Sequence, residues 1–156
     1  MPETARPTNT TNPILDPVIY WRVSAFALTA VALLGIVLNA TGNGNLLATG
    51  TTHNHLLPFT WTHDIVHVVL ALAAFIFGFA NLPGRLLKAF AIIFGVVYGG
   101  LGIVGFVTAN PLGTGNLALN LTETLNAVHL LLGAWALVAG FGAKYATDGT
   151  TTGMAN

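Results

Sequence analysis

With five Lys or Arg, five Asp or Glu and no net charge in 156 residues, the chain has too few charged groups to cover the surface of a water-soluble domain, while 54% of it is hydrophobic. The absence of a basic cluster argues against nucleic acid as a partner, and zero cysteine removes disulfides, thiolate metal sites and thiol catalysis. The solvent that fits this composition is a lipid bilayer, and the partner it implies first is lipid.

In chain order, residues 1–17 are polar and interrupted by proline, and read as a flexible tail. Residues 18–40 form the first apolar run, too long for the core of a cleaved leader and expected to stay in the mature protein. Further runs cover 62–81, 86–109 and 122–143. Each reaches the roughly 20 residues that a helix rising 1.5 Å per residue needs to cross about 30 Å of hydrocarbon. Their Ala, Leu and Gly content, and the unpaired backbone that open strands would leave in lipid, favour helices. Residues 146–156 read as a second polar tail, so the single domain is 18–145. Tyr20, Trp21, Trp61 and Tyr145 fall near predicted span ends, where amphipathic rings favour the membrane interface.

Basic residues set the orientation. Arg6 and Arg22 lie before or at the start of the first span, Arg85 and Lys88 between the second and third, and Lys144 after the fourth, and the other two loops have none. The positive-inside rule then puts both termini and the Pro83-Gly84 turn in the cytoplasm of a multi-pass cell-membrane protein.

The halves resemble one another. Leu34-Gly35-Ile36-Val37 recurs as Leu101-Gly102-Ile103-Val104, and Asp64-x-x-His67 through Gly78-Phe79 recurs as Asn126-x-x-His129 through Gly140-Phe141. The expected architecture is therefore an all-α, integral membrane four-helix bundle of two tandem hairpins, a parallel repeat about an axis along the membrane normal. Gly95-x-x-x-Gly99 on the third span offers a small-residue face for close helix approach, either within the bundle or in a homodimer or larger membrane complex.

Polar residues within the spans carry what chemistry there is. His63, Asp64 and His67 share roughly one face of the second helix, and Glu123, Asn126 and His129 descend the fourth. Ionisable groups at such depth need to be paired, solvated or ligating. One reading has His67 and His129 hydrogen-bonding across helices, oriented by Asp64 and Asn126, in a structural or accessory membrane subunit. A second makes them the axial ligands of a b-type haem, with Asp64 and Asn126 supporting them. A third assembles a divalent metal site from His63, His67, Glu123, His53 and His55. A fourth uses Asp64, Glu123 and the histidines as titrating groups of a small proton or solute conduit. None of the spacings is that of a known catalytic motif, so no catalytic residue is assigned.

The four spans, with Asn126-x-x-His129-Leu130-Leu131-Leu132-Gly133 opening the last and Asp64-x-x-His67 earlier, resemble the uncharacterised prokaryotic membrane family filed as domain of unknown function 4383. The resemblance covers roughly residues 20–145. It implies a four-helix membrane protein and brings no established activity.

Overall fold

The computed structural model describes residues 12–43, 59–108 and 122–143. These fold into a short 3-10 turn, Pro13–Leu15, and four helices: α1, Pro17–Ala40; α2, Trp61–Phe79; α3, Gly84–Val107; and α4, Glu123–Gly142. All four helices are long and apolar enough to cross a bilayer.

Local chemistry explains the boundaries. Asp16 caps α1 by accepting the Val18 N–H at 2.8 Å, with Pro17 at the first helical position, where a missing N–H does no harm. Thr60 caps α2 through the His63 N–H, and Thr122 caps α4 through the Leu125 N–H. The second span stops at Phe79, two residues short of the sequence expectation, and the third starts at Gly84, two residues early. Pro83 accounts for both shifts. It disfavours helical backbone in the residue before it, and its own fixed φ begins the next helix. At the N-terminal side the structure differs from an unbroken tail through residue 17. Asn12 caps the Pro13–Leu15 turn, whose Ile14 carbonyl accepts the Trp135 indole N–H of α4 at 3.2 Å.

α1 pairs with α2 and α3 with α4, and the two hairpins meet mainly where α1 and the turn before it lie against α3 and α4. Small residues line the contacts: Ala25, Ala32, Ala71, Ala74, Ala91, Ala136 and Ala139 are buried. Large apolar side chains such as Phe26, Ile65, Leu72, Ile93 and Leu131 point outward from all four helices. This inside-out distribution suits a solvent as apolar as leucine, where close backbone approach, not hydrophobic exclusion, holds helices together.

The glycines show how close that approach is. A Cβ on Gly133 would lie 2.9 Å from Gly99 Cα and 3.0 Å from the Gly95 carbonyl, and one on Gly95 would lie 2.8 Å from the Gly133 carbonyl. Gly95 and the Gly99 backbone thus lie against α4 of the same chain, the first of the two expected uses of this stretch.

A correction concerns Tyr20 and Trp21. They are 0% and 2% exposed. The Trp21 indole donates to the Leu87 carbonyl of α3 at 3.3 Å, and Tyr20 sets its ring edge-on to Trp135 at 5.1 Å. They cement the hairpins together instead of lying at an interface with lipid headgroups.

Candidate functional site

The buried polar groups of α2 and α4 lie in the half of the bundle where these two helices begin. His67 and His129 each lie six residues into their helices, about 9 Å below the first residue at helical rise. Both are buried, as are His63, Asp64 and Asn126. On α2 the His63 and His67 rings lie 4.4 Å apart, one turn above the other. His129 comes from the opposite hairpin and lies within electrostatic range of both. Tyr98 of α3 closes the far side, its ring edge-on to His129 at 5.0 Å.

The acid and the amide beside these histidines are held by packing. Asp64 Oδ2 accepts from the Asn39 side-chain amide of α1 at 2.6 Å. Its carboxylate lies flat against Gly35, where a Cβ would come within 2.7 Å of the Asp64 Cγ. Asn126 lodges the same way on Gly105 of α3, so a side chain there would overlap its amide. A carboxylate in the membrane is costly unless partnered, and Asn39 supplies that partner.

Among the described residues, Asp64 Oδ1, Asn126 Oδ1, and Nδ1 of both His67 and His129 are buried with no hydrogen-bond partner in the protein. Buried polar atoms are nearly always satisfied, so these are the atoms at which water, a proton or a ligand would find a partner. The imidazole nitrogens are Lewis bases when deprotonated and donors when protonated, and so suit a cation, a metal centre, water or a proton.

The expected site residues separate as follows. His63, Asp64, His67, Asn126 and His129 come together. Glu123 is exposed in the first turn of α4 and stays outside. His53 and His55 lie outside the described residues. No three His, Asp or Glu among the described residues come together in a way that could hold a metal ion, so those residues by themselves do not support the third reading. Asn39, Tyr98, Gly35 and Gly105 were not anticipated. Antiparallel pairing of α1 with α2 about the first loop would have pointed to Asn39 and Gly35. Tyr98 carried only the faint signal of a phenol in the middle of an apolar run.

Comparison of the chain with protein-family models, with curated proteins and with solved structures finds no match.

Proposed function

We propose that this chain is a multi-pass integral membrane protein of the cell membrane, a structural or accessory subunit whose two hairpins face one another across a buried histidine seam, with His63 and His67 from one and His129 from the other. The observation that carries this reading is the inversion of the core. Alanine and glycine are inside, large apolar side chains outside, and the buried histidines of the two hairpins lie within electrostatic range of one another. In this reading the hairpins descend from one ancestral hairpin, and both termini and the 80–83 turn face the cytoplasm, the side of all five basic residues. The test is alkaline carbonate extraction of membranes, followed by thermal unfolding of the detergent-purified protein and its His67→Leu and His129→Leu variants. A protein that resists carbonate, and variants that stay folded with melting points within a few degrees of the parent, fit a packing role. Release by carbonate would overturn membrane integration.

The unpartnered Nδ1 atoms of His67 and His129 favour a second reading, in which the seam holds a ligand such as haem b or a divalent ion. An absorption spectrum of the purified protein, oxidised and then reduced with dithionite, together with elemental analysis, separates the two. A Soret band or bound metal that disappears in both variants selects the ligand role. A colourless, metal-free sample from cells supplied with haem and metals selects packing.

A further inference from the structure

At the opposite end of the bundle from the histidines, the start of α1 and the end of α2 enclose a polar cavity of about 200 Å³, lined by Asp16, Arg22, Gly78, Ala80, Asn81 and Leu87. It carries one cation and one anion. Arg22 is held in place from two sides: its Nε donates to the Gly78 carbonyl at 3.0 Å, and its guanidinium carbon lies 5.3 Å from the centre of the Phe79 ring. That geometry commits Nε and leaves the two terminal amino groups of the fork for an external acceptor. Asp16 uses Oδ1 to cap α1.

A second cavity, of about 210 Å³ and almost wholly apolar, runs between α2 and α3 from Phe77 and Phe90 towards Leu70 and Val97. The seven helical steps of α2 from Leu70 to Phe77 give it a length of about 10 Å along the helix. α2 and α3 follow one another in the chain, yet their backbones are not among the closely paired ones, and the gap is bridged by the stacked Phe77 and Phe90 rings at 4.5 Å. Phe77 lines both cavities. Trp21 of the groove and Leu87 of the polar cavity are joined by a hydrogen bond, so the two spaces share a wall.

We infer that these adjoining polar and apolar cavities together form a binding site for a single phospholipid with a zwitterionic, primary-amine head. The phosphate sits on the Arg22 fork, the ammonium faces Asp16, and one acyl chain runs up the groove between α2 and α3. Charge complementarity selects the head, because a purely anionic lipid would meet Asp16 and a purely cationic amphiphile would meet Arg22. The groove selects an amphiphile over free phosphate, since an apolar slot of this length stays empty with a head alone. The inference rests on the chain spanning a membrane, which carbonate extraction tests separately.

The experiment is native mass spectrometry of the full-length, detergent-purified and delipidated protein, titrated with dioleoyl phosphatidylethanolamine, dioleoyl phosphatidylglycerol or inorganic phosphate. The expected result is a saturable one-to-one adduct with phosphatidylethanolamine. Arg22→Gln weakens it by about tenfold, the loss of one charge-assisted contact, while Arg22→Lys keeps most of it. Ala73→Phe, which fills the groove from a half-buried position, weakens the adduct without touching the head cavity. Asp16→Asn shifts preference towards phosphatidylglycerol. An adduct unchanged by both Arg22→Gln and Ala73→Phe, or no saturable adduct in the folded protein, overturns the inference. So does inorganic phosphate binding as tightly as the lipid, which would make the cavity a phosphate site with no role for the groove.

Discussion

Asn39 reaches across from α1 to Asp64 at 2.6 Å, and that single amide is what makes a carboxylate tolerable among apolar helices. Asn39→Ala is expected to lower stability by about 1–3 kcal/mol, the range for stranding one partner of a buried hydrogen bond. Adding Asp64→Asn should recover part of that loss, because the neutral amide is easier to bury. Thermal unfolding in detergent checks both, and an Asn39→Ala variant as stable as the parent would mean that Asp64 has another partner. At this scale the sequence was half legible. Polar residues stand out in an apolar chain, so His63, Asp64, His67, Asn126 and His129 could be named from spacing alone, and the helical period correctly put them on inward faces. Glu123 fits the same period but lies in the first turn, where the helix end opens to its surroundings, and it is exposed. Asn39 and the glycine cradles depend on which helix lies opposite at which height, and no local pattern encodes that.

Between helices, glycine sets both distance and register. Gly133→Leu is expected to force α3 and α4 apart at Gly99 and Gly95, destabilising the protein by about 1–3 kcal/mol or more, because backbone on the facing helix cannot yield as a side chain would. Gly100→Ala meets no atom within 4 Å and should be neutral or stabilising by up to about 1 kcal/mol. Denaturant titration of the two variants checks the contrast, and equal effects would show that the α3–α4 contact is looser than described. Helix existence and approximate length were legible from apolar run length, and Pro83 explains the shifted ends. The register was not. Matching Gly35 to Gly102 by sequence predicts that Asn126 should rest on Gly102, whereas its side chain rests on Gly105, three residues further along α3. Gly140 faces Ile92 and Gly78 faces Arg22, a pairing displaced in the same direction. A slip of nearly one turn keeps the same helix face inward while changing every partner, which is why the apolar pattern is blind to it.

Across the whole molecule, pairing within each hairpin is far more extensive than pairing between them, and the joint depends on a few aromatic anchors. A chain cut in the 80–83 turn and expressed as two halves should therefore reassemble in the membrane. Combining Trp21→Phe with Trp135→Phe removes both indole hydrogen bonds across the joint and should weaken co-purification of the halves severalfold. Reassembly indifferent to both changes would place the joint elsewhere. Composition made the apolar class and the four helices legible. The pairing of α1 with α2 and of α3 with α4 was legible from the sequence repeat and not from connection length, since the shortest connection, 80–83, joins α2 to α3. The burial of Tyr20 and Trp21 did not follow, because an aromatic residue near a span end looks the same in sequence whether it turns to the headgroups or to a neighbouring helix.

That burial also gives the protein a built-in optical gauge. The chain has three tryptophans, two of which hydrogen-bond across the joint, while Trp61 stands 47% exposed at the start of α2. With Trp61 changed to phenylalanine, all remaining indole emission comes from the place where the hairpins touch. Its wavelength would follow their union and separation directly, with no label attached.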